Sequence, residues 1–437
     1  MDREGQSAPQ SPASKSPASQ PSASQAPASQ APAPQAPASQ APASQAPASQ
    51  APAPHLVEGL RRLVRDIQTS ARQQSTGLTG VCCGQTELLT FPPDGVSYCG
   101  ELVEALVQSQ PFEGVAWLLL TGRLPDEEAL ADWSSLISEA AVLPKSAAEM
   151  FSILPVGVRP IDLFPVSLSL LSFFDPTPLD MCPEASQARL WRVMGQLPVV
   201  LDWGLNGQHG GGTSQTDSEL HEDSEDSDLT WAGRLLQMLR PGGKRPEPLE
   251  DAVMNQLMIC QCLTEMRPAC FSARLSAGTT GNLITALQTA SLVFVSQLQN
   301  DPFCWAAELL QSFETPAQAD AWWRRRAGQS MPFGFASSVP DVRARLLAEA
   351  SRALCRSAEQ SRLVAGAERM EKILAGENLL PTMDWMSARL MTVLGIPADR
   401  QALVIGLSRL IGWAAQGIEQ QKSGVSLLPV LRYGADV

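Results

Sequence analysis

The chain has 437 residues, 44% of them hydrophobic, with three histidines, nine cysteines and a formal net charge of −13. That length and apolar share suffice for a sizeable core, expected to be shared between two domains. So acidic a balance argues against nucleic acid or an anionic membrane surface as a general partner.

From Ser7 to Pro54 the sequence cycles through Ser, Gln, Ala and Pro, with almost no large apolar residue to bury. Such a tract cannot offset its ordering entropy, so residues 1–54 are expected to form a disordered tail. It lacks the apolar stretch of a secretory signal. The cysteines are scattered, with Cys82 and Cys83 adjacent and Cys260 and Cys262 one residue apart. Neither spacing is a zinc pattern, and they read as thiols in a reducing, cytoplasmic setting. No apolar run reaches the length of a membrane-crossing helix.

Past His55 the pattern is helical. Leu56 to Arg72 repeats apolar residues at three-to-four spacing, whereas Gly77 to Asp94 is rich in Thr, Gly and Pro and reads as short extended pieces. Helices are expected over Glu101 to Gln110, Pro111 to Thr121 and Pro125 to Ala140. The last opens on Pro125-Asp126-Glu127-Glu128, with proline and carboxylates in the first turn. Asp217, Glu219, Glu222, Asp223, Glu225, Asp226 and Asp228 follow Gly210 to Gly212. Their spacing fits no calcium loop, so residues 204–229 read as a solvated acidic insertion and no metal site is expected. Further helices are expected over Leu249 to Met266, Gly281 to Leu298, Val339 to Arg356, Leu363 to Ala375, Met383 to Leu394 and Ala398 to Gln421. Alternating strand patterns are nearly absent, so the fold class is all-α. The sequence has no phosphate-cradling glycine loop, nucleophile elbow or His-Glu-x-x-His helix.

Several segments then line up in order. Gly77-Leu78-Thr79-Gly80-Val81 is followed by Tyr98-Cys99-Gly100 and by Phe112 to Leu120 with Gly122-Arg123-Leu124-Pro125. Phe271 to Thr279, Pro381-Thr382-Met383-Asp384-Trp385, Leu407 to Ala415 and Arg432-Tyr433-Gly434 complete the series. Together, over Gly77 to Val437, they resemble the citrate synthases. The resemblance implies a two-domain helical fold that forms dimers, with an active-site cleft between the domains. A large domain would span residues 55–285, a small domain 286–388, and a C-terminal return 389–437.

It also implies a chemistry. Family members join an acyl-CoA to a 2-oxo acid, usually acetyl-CoA to oxaloacetate, so acetyl-CoA is the implied co-substrate and no permanently bound cofactor is expected. A carboxylate removes the methyl proton while histidines stabilise the enol and polarise the acceptor. Asp384 stands at the base position, although capping the helix near Met383 is an alternative role for it. The three histidines are His55, His209 and His221, all away from the matching motifs. Gln299, Thr264 and Ser337 fall instead where the family has its catalytic and acceptor-binding histidines. Gln299 could still donate a hydrogen bond to an enolate, but neither Gln nor Ser titrates near neutral pH. Loss of general acid help costs a factor of ~10²–10⁴.

Arg409 and Arg343 match carboxylate-binding arginines of the family; interhelical ion pairs are the alternative reading. Leu428 stands where the partner subunit's arginine would be. Ser338, Pro340 and Asp341 replace basic residues tied to CoA recognition. The expected function is a citrate-synthase-like protein with lost or strongly reduced condensation activity and a regulatory role. Such a chain would pair as a homodimer or as a heterodimer with a citrate synthase paralogue. The alternative is a divergent acyl-CoA/2-oxo acid condensing transferase that uses Asp384.

Overall fold

The computed structural model describes residues 78, 80–93, 95–143, 145–152, 157–206, 229–298, 302–313, 315–326, 334–336 and 341–429. The chain divides into two compact units, Met1–Val81 and Cys82–Val437. The expected tail, the helix over Leu56 to Arg72 and the carboxylates from Asp217 to Asp228 lie outside the described residues.

In the second unit, β1 (Leu89–Thr90), β2 (Ser97–Tyr98) and β3 (Glu101–Leu102) form a small antiparallel sheet in that order, with Leu89 opposite Tyr98. Six helices follow: α1 (Val103–Ser109), α2 (Phe112–Thr121), α3 (Glu127–Ala140), α4 (Lys145–Ser152), α5 (Leu163–Ser172) and α6 (Pro183–Asn206). Then come α7 (Trp231–Leu239), α8 (Pro248–Gln261), α9 (Pro268–Thr280), α10 (Leu283–Gln297), α11 (Pro302–Gln311) and α12 (Pro316–Arg326). After β4 (Phe335–Ala336) lie α13 (Val342–Ala353), α14 (Ala358–Ala375), β5 (Leu380–Pro381), α15 (Met383–Val393) and α16 (Ala398–Ser423). β4 pairs antiparallel with β5. The fold is mainly helical, with strands of two residues each rather than none.

Local chemistry sets the helix ends. Asp126 caps α3 by accepting from the Ala129 N–H at 2.8 Å, as its first-turn sequence anticipates. α14 starts at Ala358, five residues before the expected Leu363, because Ser357 and Gln360 form a reciprocal capping box. α1 starts later than Glu101 because Glu101 and Leu102 pair with β2. The expected helix from Leu249 ends at Gln261, and the irregular stretch after it runs to Arg267, where Pro268 opens α9. Proline there disfavours helical backbone at the preceding residue, and Arg267 is extended at φ −100° and ψ 162°.

Two groups of helices meet in the core. α9, α10 and α16 pack on one another, and α2, α5, α6 and α8 surround them. α11, α12, α13, α14 and α15 form the other group, joined to the first where α11 and α15 touch α16 and where α13 and α15 touch α8. α16 is buried along nearly its whole length, including the polar Gln401, Ser408, Arg409, Gln416 and Gln420. Glycines let neighbours approach it: a Cβ at Gly412 would overlap the Cys262 carbonyl oxygen, so only glycine fits. Among the described residues no helix is long and apolar enough to cross a membrane.

Candidate functional site

Where α16 faces the 262–267 stretch, the fold leaves a cavity of about 360 Å³. Thr264, Arg267, Pro268, Ala269 and Cys270 supply one wall, and Phe294, Ser296, Gln297, Arg409 and Trp413 the others. Trp413 lies against Phe164 and Phe294, its ring tilted to both with centroids 6.2 and 5.6 Å away, so the apolar wall is closely packed. Thr264 is 2% exposed; its hydroxyl donates to the Glu265 carbonyl at 3.2 Å and lies 3.7 Å from the Cys270 sulfur.

Asp384 sits in the first turn of α15, and Thr382 is the N-cap. No side chain makes the capping hydrogen bond, so the Asp384 carboxylate is turned to other partners. Its Oδ2 accepts from Arg267 Nη2 at 3.1 Å and its Oδ1 from Arg409 Nη2 at 3.3 Å. Burial acts to raise the Asp384 carboxyl, but the Arg267 and Arg409 guanidiniums outweigh it and hold it below the usual carboxylate range. Asp384 is therefore a buried anion bridging two cations that themselves line the cavity.

Neighbouring residues fix this bridge from behind. Gln261 donates to Ser387 Oγ at 2.7 Å, which leaves its carbonyl oxygen to accept from Arg409 Nη2 at 3.2 Å. The Arg409 guanidinium also lies 5.7 Å from the centre of the Phe294 ring. On the far side of α15, Trp385 and Arg389 both donate to Glu371, at 2.8 and 2.7 Å, and so anchor the helix carrying Asp384.

Arg343 occupies a separate position. Its guanidinium donates to Asp341 at 2.8 Å and to the Leu263 carbonyl at 2.9 Å, and it does not line the cavity. It reaches the residues flanking Thr264, through the Leu263 carbonyl and through Glu265 at 3.9 Å. Burial pushes the nearby Cys260 thiol up to about 12, so it stays protonated at neutral pH.

Of the residues singled out in the sequence, Thr264 and Arg409 meet at the cavity, and Asp384 lies directly behind its arginines. Gln299 and Ser337 lie outside the described residues. Sequence reasoning missed Arg267, Gln261 and Ser387. The signal for Arg267 was its place three residues after Thr264, immediately before a proline.

Comparison with known proteins agrees with this architecture. The family model described as "Citrate synthase, C-terminal domain" matches residues 77–430. A citrate/2-methylcitrate synthase of Bacillus subtilis is 25% identical over 367 residues, covering 82% of this chain and 96% of the relative. A 2-methylcitrate synthase of Shewanella oneidensis is 25% identical, with 82% and 94% covered. The citrate synthase structure from Pyrobaculum aerophilum superposes with a TM-score of 0.71 at 20% identity, over 83% of this chain and 92% of that one. The Thermoplasma acidophilum citrate synthase, solved with carboxymethyl coenzyme A and oxaloacetate, gives 0.70 at 17% identity, over 83% and 97%. With the motifs in order, the helical architecture in common and a family model spanning most of its length, the chain belongs to the citrate synthase family.

Proposed function

We propose that this protein binds a small carboxylate in the Arg409 cavity but condenses it with an acyl-CoA slowly or not at all. The observation that carries the reading is the pairing of Asp384 with Arg267 and Arg409. A general base works best with a proton affinity near the operating pH, and the two guanidiniums move Asp384 the other way. No histidine occurs among the described residues, and Thr264, Gln299 and Ser337 stand where the family resemblance implies histidines. Neither a threonine, a glutamine nor a serine titrates near neutral pH, as a histidine does.

The role left for such a chain is regulatory, exerted through pairing with its own copy or with an active paralogue. Val166 on α5, Phe173 just past its end and Leu292 on α10 are exposed where two helices pack together, and this supports a pairing surface. The second reading is a divergent condensing transferase with acetyl-CoA or a longer acyl-CoA as co-substrate. It is favoured by the retention of Asp384 beside a carboxylate-binding arginine and by relatives named as 2-methylcitrate synthases.

Release of free CoA from acetyl-CoA or propionyl-CoA with oxaloacetate tests the two. The expected turnover is at least ~10³-fold below an ordinary enzyme rate of ~10 s⁻¹. Turnover near that ordinary rate, abolished in Asp384→Ala, would sink the first reading and establish the second.

A further inference from the structure

The cavity carries two guanidiniums, and the family resemblance accounts for only one of them. We propose that Arg267 is a second carboxylate-binding arginine of this cavity, held beside Arg409 by the buried bridge of Asp384. This inference rests on the reading that the cavity takes a small carboxylate.

Four observations carry it. Arg267 lines the cavity together with Arg409, and its side chain is 34% exposed while that of Asp384 is 5% exposed. The bridge uses the Nη2 atom of each arginine and binds one oxygen of Asp384 to each. Two guanidiniums side by side would repel, and a carboxylate between them from the protein side removes that cost. Asp384 is not among the residues lining the cavity, so it supports the arginines from behind. The extended backbone at Arg267, imposed by Pro268, presents this side chain at the start of α9 rather than along the helix. The ligand is a small organic carboxylate whose oxygens reach both guanidiniums, with Phe294 and Trp413 against its carbon atoms.

In these terms Asp384 is a positioning residue. Its family role as a base is replaced by the work of keeping two cations together.

Calorimetric titration of the full chain with malonate tests the proposal. Arg267→Met is expected to weaken binding at least about tenfold, equivalent to about 1.4 kcal/mol. Arg409→Met is expected to weaken it comparably, and Asp384→Asn to weaken it as well because the arginines separate. Malonate affinity within twofold of the parent in Arg267→Met overturns the proposal while leaving the carboxylate cavity itself standing, provided Arg409→Met loses binding. If the parent chain binds no malonate, both the inference and the underlying reading fail. Should Arg267→Met not fold, Arg267→Lys keeps a cation for Asp384 but loses the planar fork. Unchanged affinity in that variant overturns the proposal too.

Discussion

Arg343 and Arg409 are both buried, at 1% and 4% exposure, but their partners differ in kind. Arg343 is held by Asp341, two residues before it, and by the Leu263 carbonyl. Its donors are committed to the protein, and its work is to fasten the start of α13 to the stretch after α8. Arg409 reaches Asp384, 25 residues earlier in the chain, and Gln261, 148 residues away, while its side chain also borders a cavity. A local pair can serve a fold by itself. A pair assembled from three distant elements at a cavity wall keeps cationic surface within reach of a ligand. The family resemblance implies a carboxylate-binding role for both arginines, so sequence alone does not separate the two, and the direction of the side chain does.

The comparison can be broken by substitution. Arg343→Met removes one partner of a buried ion pair and strips a hydrogen bond from the Leu263 carbonyl. The expected loss is about 3 kcal/mol of stability, low in the range for such pairs because Asp341 is 27% exposed. Urea unfolding should show a lowered midpoint, with malonate affinity little changed in the folded fraction. A large loss of affinity with unchanged stability would reverse the assignment of the two arginines.

Gly412→Ala probes the joint between the two sites. Its new methyl group would meet the Cys262 carbonyl, next to the Leu263 carbonyl that Arg343 holds and two residues from Thr264. The expected cost is ~1–3 kcal/mol of stability, as for other overpacked cores, accompanied by weaker malonate binding. Unchanged unfolding and binding would show that the segment after α8 shifts freely.

The smallest effect expected is in pH dependence. The Asp384 carboxyl lies below its ordinary value of 3.8 in the folded protein, so its contribution to stability is present above that value. That contribution is lost as pH falls through the lower, folded value. Urea midpoints between pH 2 and 6 should therefore fall more steeply for the parent chain than for Asp384→Asn, over the acid end only. Parallel curves would show that the two arginines do not stabilise the charged form.

Periodicity made the long helices legible, and the Asp126 start signal of α3 was readable as written. Helices α4, α5, α6, α7, α11 and α12 were not anticipated from the sequence. α6 carries Pro198 in its interior, a residue that ordinarily argues against helix, and tertiary packing against α3 and α5 overrides it. At the site, Asp384, Arg409 and Thr264 could be named because motifs surround them. Arg267 could not, since its pairing spans 117 residues and depends on how the stretch between α8 and α9 turns. Side-chain direction at an irregular segment has no periodic signature.

α16 has a consequence for how the molecule is made. It follows in chain order every helix it packs against, and it forms the centre of the group built from α2, α5, α6, α8, α9 and α10. Those helices therefore emerge during synthesis with their inner faces uncovered, and their mutual contacts mature only when the last long helix arrives. Closure over such sequence separations is slow and leaves apolar surface open in the interval. A nascent chain halted before Ala398 would hold most of the helices of this fold and none of its central axis.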